Sequence, residues 1–222
     1  MNGQDAALHI DVYSDVICPW CYVGKRRLER ALAQVGHTVK AHVAWRPFQL
    51  NPTMPADGMD RTAYLEAKFG SLDTFKEMEE RLLEAGRGEQ ILFAFEKIAR
   101  TPNTFQAHRL IWYAGNQGCQ DAMVEQLFRG YFEQAADIGS IPMLVQLAAQ
   151  AGLTAEPFLR SEEGIADVKA DEAAGHRLGI RGVPYFILNQ AHGISGAQPA
   201  EVLAAAIEQA CGRQEAGSAG GR

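Results

Sequence analysis

Two cysteines separated by two residues are the part of the sequence best suited to chemistry: Cys18 and Cys21, with Pro19 and Trp20 between them. Side chains three residues apart on a helical turn share a face, with Cβ atoms about 5–6 Å apart, a spacing that permits a disulfide. Cys18 would stand at the helix N-terminus, where unpaired backbone amides stabilise a thiolate. Cys21 would lie one turn deeper. The spacing predicts a redox pair in which Cys18 attacks and Cys21 resolves the mixed disulfide.

Two other interpretations of this pair are open at this stage. The cysteines could be ordinary buried thiols, or they could be half of a zinc site. Zinc requires four ligands, and the six histidines are scattered without the spacing of a ligand set. The remaining cysteines, Cys119 and Cys211, are far apart in the sequence. We expect them to be unpaired thiols, with a second redox pair as the alternative if the fold brings them together.

A second informative feature lies near the other end of the chain, where Pro184 follows Val183 and precedes the apolar run Tyr185-Phe-Ile-Leu188. A proline is common at the start of a strand, so Pro184 can simply mark where the strand begins. The sharper interpretation is a cis peptide bond between Val183 and Pro184, although cis bonds are a small fraction of all X–Pro bonds. The order of the surrounding elements, together with the cysteine pair, favours the cis form.

Hydrophobic spacing predicts the elements that position these residues. An alternating apolar pattern predicts a strand over 8–13, a helical stripe follows over 19–35, and a second alternating segment covers 39–46. Such a β-α-β unit normally has parallel strands. The end of the chain has the order helix, strand, strand, helix, predicted over 163–178, 184–189, 193–195 and 199–210.

The segment between these two units is predicted to be helical. Apolar residues between 51 and 162 follow helical spacing, with almost no strand signal. We therefore predict an α/β domain formed by 1–50 and 163–211 and interrupted by a helical insertion over 51–162. The glycine-rich end, 212–222, has no apolar pattern and is predicted to be disordered.

Composition argues against several classes of function. The 222 residues include 21 Lys and Arg against 27 Asp and Glu, a net charge of −6, so we expect neither nucleic acid nor an anionic membrane surface as a partner. No stretch approaches the roughly 20 apolar residues of a transmembrane helix. The first residues lack the basic and apolar parts of a signal peptide. These observations favour a cytoplasmic location.

The motifs carry a resemblance to a known family. Ser14-Asp-Val-Ile-Cys-Pro-Trp-Cys21 after a strand, and Gly182-Val-Pro184 before another, resemble a thioredoxin-type fold, and the helical insertion resembles that of the DsbA family. Pro102-Asn-Thr-Phe-Gln-Ala-His-Arg109 and Ile194-Ser-Gly-Ala-Gln198 are similar to its FrnE-like branch. The resemblance covers residues 8 to about 210 and implies a thioredoxin-like fold with a mixed sheet and a large helical insertion.

The resemblance also implies how a substrate binds. A cis Pro184 would pack against the CxxC loop, and the Val183 backbone would pair with an extended substrate segment, a strand addition that demands little of the substrate sequence. His108 could face the CxxC cleft, where it would tune the thiolate or contact substrate, or it could hold its helix to neighbouring elements. Of Trp20 and Tyr22, one is expected in the core and one along the cleft.

The predicted function is that of a thiol–disulfide oxidoreductase acting on thiol or disulfide substrates, with proteins or peptides preferred. The resemblance implies no metal and no cofactor besides the redox-active disulfide, with glutathione as an optional redox partner. One alternative is a glutathione-dependent isomerase or transferase, of the 2-hydroxychromene-2-carboxylate isomerase or kappa class, in which Ser typically occupies the position of Cys18. A second alternative is a redox-independent chaperone or binding protein.

Overall fold

The computed structural model of the chain describes residues 8–36 and 39–218. Within these ranges the strands are β1 (Leu8–Ser14), β2 (Ala41–Pro47), β3 (Met59–Asp60), β4 (Arg100–Thr101), β5 (Tyr185–Leu188) and β6 (His192–Ser195). Four of them form a sheet with the order β2-β1-β5-β6. β1 is parallel to β2 and antiparallel to β5, and β6 is antiparallel to β5. The predicted α/β class with a mixed sheet is confirmed.

The central strand β1 has the alternation that its sequence predicts. Leu8, Ile10 and Val12 are buried in the main core, whereas His9 is exposed. Burial of such aliphatic side chains contributes about 1.5–3 kcal/mol each. This fixes the register of β1, because a shift by one residue would turn all three side chains to the opposite face. β1 therefore ends at a fixed place, Ser14, directly before the CxxC turn.

Helices cover the sheet and form the insertion. They are α1 (Pro19–Val35), α2 (Arg61–Phe69), α3 (Leu72–Gly88), α4 (Phe105–Asn116), α5 (Gln120–Phe132), α6 (Ile141–Gln150), α7 (Glu156–Leu159), α8 (Ile165–Arg177) and α9 (Ala200–Ser218). The insertion lies between β2 and α8, as predicted. It also contains β3 and β4, an antiparallel ladder that the sequence does not reveal, because two residues are too few for an alternating pattern. In the described part of the chain, no helix has both the length and the apolarity needed to cross a membrane.

The main hydrophobic core continues from the sheet into the insertion. Buried side chains of β1 and α1 belong to the same cluster as those of α4, α5, α6 and α7. Tyr22 of α1 lies at the junction, because its ring stacks on Phe128 of α5 with centroids 5.0 Å apart, and its hydroxyl donates to Glu133 at 2.8 Å. The predicted division into domains, with boundaries at 51 and 162, stays a prediction, since the core is shared.

The last helix is longer than its apolar pattern indicates. α9 continues to Ser218, whereas the sequence predicts a helix over 199–210 and disorder from residue 212. Gly212 costs a helix about 1 kcal/mol relative to alanine, but Gln214, Glu215 and Ala216 are good helix formers and favour continuation. The rest of the predicted tail, residues 219–222, lies outside the described residues.

Candidate active site

The CxxC turn begins where β1 ends. The Cys18 amide donates to the Asp15 carbonyl oxygen at 3.0 Å. Cys18 is the N-cap of α1, with φ and ψ of −92° and 110°, and Pro19 follows in the first turn. Proline suits this position because its missing N–H would have no helical partner in any case. The predicted place of Cys18 at the N-terminus of the helix is confirmed, and the free amides there favour a negative charge.

The two cysteines differ in their surroundings. Cys18 is 6% exposed and Cys21 is 0% exposed, and both are free thiols. Burial raises the pKa of Cys21 well above its usual range, and the neighbouring Cys18 raises it further, although hydrogen bonds from Ser14 and from the Asp15 backbone act in the opposite direction. Cys21 is therefore protonated at neutral pH, and it is the more deeply buried of the two sulfurs.

The loop before β5 contacts the CxxC turn. The Val183–Pro184 peptide bond is cis, as the sequence favours. The Cys18 thiol donates a hydrogen bond to the Val183 carbonyl oxygen, with an S···O distance of 3.5 Å. Val183 is half-buried and Pro184 is buried. The fold thus brings the Val183 carbonyl to the sulfur of Cys18, and Pro184, the next residue, packs against α1 at Gly24.

Gly24 allows this approach, and sequence reasoning missed it. A Cβ atom at position 24 of α1 would lie 2.9 Å from Pro184 Cγ and 3.4 Å from Phe186 Cζ. Only a residue without a side chain lets the proline ring lie so close to the helix. A glycine inside a helical pattern often has a packing reason, and this signal could have identified the position.

A buried polar pair lies beside the CxxC turn. Asp15 is 0% exposed and His108 is 3% exposed. His108 Nε2 lies 3.3 Å from Asp15 Oδ1, and the Leu50 amide donates to Asp15 Oδ2 at 2.7 Å. Since His108 belongs to α4, the pair joins the turn to the insertion, which is the holding role considered for this residue. A substrate contact by His108 stays a prediction. Asp15 was missed because its partners lie far along the chain.

The two aromatic residues around Cys21 occupy different places. Tyr22 is fully buried, whereas Trp20 is half-buried and packs against the edge of the core. Of the two, Trp20 is therefore the one with surface available to a substrate. Its contact with substrate stays a prediction.

An ionic cluster of Lys25, Glu29, Asp121 and Glu125 joins α1 to α5. The Lys25 side chain is 2% exposed, and its Nζ lies 3.1 Å from Asp121 Oδ2 and 3.3 Å from Glu125 Oε2, with Glu29 also in contact. Burial opposes the charge on Lys25, but the three carboxylates outweigh it and raise the pKa of the ammonium group. Sequence reasoning missed this cluster because charges on a helix usually mark a solvated face.

The other two cysteines lie on separate helices. Cys119 is the N-cap of α5, and Cys211 belongs to α9. Both are partly exposed, and neither forms a disulfide within the described part of the chain. Whether these two thiols act separately or as a second redox pair stays a prediction, since Cys18 and Cys21 are also unbonded in this structure.

The fold and the site define a thioredoxin-like protein, with a mixed sheet, a CxxC pair at the start of a helix and a cis proline beside it. The family model of the DSBA-like thioredoxin domain matches residues 9–208. The chain belongs to this family, which confirms the resemblance drawn from the motifs around Cys18 and Pro184. Membership of the FrnE-like branch stays a prediction.

Individual proteins agree with this assignment. The uncharacterized protein YwbO of Bacillus subtilis (strain 168) is 30% identical over 204 residues, covering 90% of this chain and 96% of that protein. The crystal structure of a probable DsbA oxidoreductase from Streptomyces coelicolor is 37% identical, with a TM-score of 0.83 over 92% of this chain and 90% of that one. A 2-hydroxychromene-2-carboxylate isomerase has a TM-score of 0.70 at 16% identity, covering 94% of this chain and 98% of that one; this is a likeness of fold.

Proposed function

We propose that the protein is a thiol–disulfide oxidoreductase in which Cys18 and Cys21 exchange a disulfide with thiol or disulfide substrates. One observation carries the proposal: the Cys18 sulfur lies at the N-terminus of α1, 3.5 Å from the Val183 carbonyl oxygen, with Cys21 buried one turn behind it. This arrangement gives one reactive sulfur and one protected sulfur on the same helical turn. That difference is what a two-step exchange requires.

The exchange has two displacements. The Cys18 thiolate attacks one sulfur of a substrate disulfide, and the other substrate sulfur leaves as a thiolate with the electron pair of the broken bond. The Cys21 thiolate then attacks the Cys18 sulfur, which forms the Cys18–Cys21 disulfide and releases the second substrate thiolate. The substrate is reduced by two electrons and the protein is oxidised by two. The same steps in reverse oxidise a substrate dithiol.

Substrate binding follows from the hydrogen bond between Cys18 and Val183. A thiol donates to the Val183 carbonyl at 3.5 Å, but a thiolate has no hydrogen to donate. Ionisation of Cys18 therefore frees this carbonyl to accept from the backbone of an extended substrate. Pairing of this kind gives affinity with little demand on sequence, so we propose protein or peptide substrates, with Trp20 as a further contact. We propose a cytoplasmic enzyme that needs no metal or nucleotide and can use glutathione as a redox partner.

The experiment compares Cys18→Ser with Cys21→Ser in insulin reduction and in oxidation of a dithiol peptide. Cys18→Ser is expected to lose both activities. Cys21→Ser is expected to lose turnover but to accumulate a mixed disulfide with the substrate, visible by mass spectrometry without reductant. Full activity of Cys18→Ser, or no adduct on Cys21→Ser, would contradict the proposal.

A further inference from the structure

Cys21 must lose its proton before it can release a bound substrate, and the thiol is fully buried. Burial also raises its pKa, so few Cys21 thiols are ionised at neutral pH. A buried sulfur has no direct contact with bulk water. The first acceptors of its proton therefore lie inside the protein.

A cavity of about 150 Å³ beside the CxxC turn contains suitable groups. Ser14 and His108 both line it, and so does Asn116, which is exposed at the end of α4. The Ser14 side chain is also a hydrogen-bond partner of Cys21. The volume accommodates a few water molecules, and the hydroxyl and the imidazole supply polar partners for them. The cavity thus connects the partner of Cys21 with a histidine and with the surface.

The contact with Asp15 prepares His108 to accept a proton. We assign the hydrogen of the 3.3 Å contact with Asp15 Oδ1 to His108 Nε2, because a carboxylate oxygen can only accept. The other ring nitrogen, Nδ1, is then the basic one. After it takes up a proton, the imidazolium lies beside a carboxylate, and this stabilises the new charge. The Leu50 amide holds that carboxylate in place at 2.7 Å.

We propose that Cys21 loses its proton through Ser14 and water in this cavity to Nδ1 of His108, with Asp15 as the residue that positions the imidazole. The inference rests on the proposed function and concerns its second displacement. The proton leaves the Cys21 sulfur as the Ser14 hydroxyl and cavity water pass a proton on to His108. The Cys21 thiolate then attacks Cys18, the bond between Cys18 and the substrate breaks, and the substrate sulfur leaves with the electron pair. In the reverse direction the imidazolium returns the proton.

Other titratable groups around His108 do not imitate this behaviour. Arg46 of β2 and Asp171 of α8 line the same cavity and are paired with each other at 3.1 Å. Tyr131 of α5, which feels the charge of Asp15, has a pKa raised to about 12 and stays neutral. A pH dependence of the resolving step therefore reports on the loss of the Cys21 proton.

A stopped-flow experiment with one equivalent of dithiobis(nitrobenzoate) separates the two displacements, on protein carrying Cys119→Ser and Cys211→Ser because those partly exposed thiols would also react. The reduced protein should release one thionitrobenzoate when Cys18 attacks and a second, more slowly, when Cys21 resolves the adduct. We expect His108→Gln to slow the second phase by about a hundredfold, the lower end for general base catalysis, and to leave the first phase within about twofold. In this variant the second phase should rise in proportion to hydroxide, whereas in the wild type it should depend less steeply on hydroxide.

Two further variants make the experiment decisive. Ser14→Ala removes only the hydroxyl and should also slow the second phase. It therefore tests the proton route from Cys21 if His108→Gln does not fold. His176→Gln is the matched control, because His176 lies outside the cavity, against Phe48, and both phases should be unchanged. The inference is overturned if Ser14→Ala and folded His108→Gln resolve the adduct at the wild-type rate, or if both phases slow equally. No thionitrobenzoate release by the wild type would instead contradict the proposed function.

Discussion

Replacing Gly24 by alanine tests whether close packing of α1 on Pro184 holds the active site together. The new methyl group would lie 2.9 Å from Pro184 Cγ. Pro184 is buried and its ring cannot rotate away, so the helix or the loop has to move. Overpacking typically costs about 1–3 kcal/mol, while the change from glycine to alanine inside a helix contributes about 1 kcal/mol. The expected result is a loss of up to about 2 kcal/mol in the free energy of unfolding.

Gly88→Ala is the matched control for this variant. Gly88 is also helical, at the end of α3, and a Cβ there would meet no described atom of another element within 4 Å. Its free energy of unfolding should be unchanged or higher. Equilibrium denaturant unfolding measures both variants, and the first phase of thionitrobenzoate release should slow only in Gly24→Ala, because the Val183 carbonyl moves with Pro184. Stability of Gly24→Ala equal to that of Gly88→Ala would refute the reasoning.

Three further expectations concern buried groups. Of the CxxC pair, iodoacetamide should label Cys18 and spare Cys21 in the reduced protein. The raised pKa of Cys21 also means that the native state holds its proton more tightly than the unfolded state, so the free energy of unfolding should fall as pH rises above about 9. Cys21→Ala should lack this contribution to the fall. Lys25→Met should lower the free energy of unfolding by about 2 kcal/mol, less than for a fully buried pair because its partners are partly exposed; since the pKa of Lys25 is raised, that difference should persist below about 10.5 and vanish at higher pH. Arg109→Lys should cost about 2 kcal/mol, seen in thermal unfolding, because the buried guanidinium donates to the carbonyls of Ser161 and Glu163. These expectations would be contradicted by equal labelling of Cys18 and Cys21, or by a loss of stability in Lys25→Met that stays the same at alkaline pH. Wild-type stability of Arg109→Lys would contradict the third.

Local features of the site could be predicted from the sequence. The place of Cys18 at the start of α1 depends on the strand before it and on Pro19 after it, and both are visible within a few residues. The cis bond before Pro184 is less local, because it is favoured by the order of elements along the chain together with the CxxC motif. These predictions needed no knowledge of what packs against the segment.

Contacts between distant parts of the chain could not be predicted in this way. The residues around Asp15 in the sequence are the same whether its carboxyl group faces water or His108. Only the position of α4 in the fold places His108 beside it. Tyr22 and Trp20 are both aromatic residues near the start of one helix, and the direction in which each points sets which one is buried. Lys25 shows the same limit, because its carboxylate partners on α5 follow it by about a hundred positions.

The shared hydrophobic core has a consequence for how the molecule can be cut or rearranged. Since Tyr22 of the active-site helix packs among aromatic rings of α5, excising the insertion would strip the back of that helix and expose its rings to water. After limited proteolysis, neither the insertion nor the sheet-containing part should remain as a separately folded fragment. Melting should proceed as one cooperative event, with equal calorimetric and van't Hoff enthalpies.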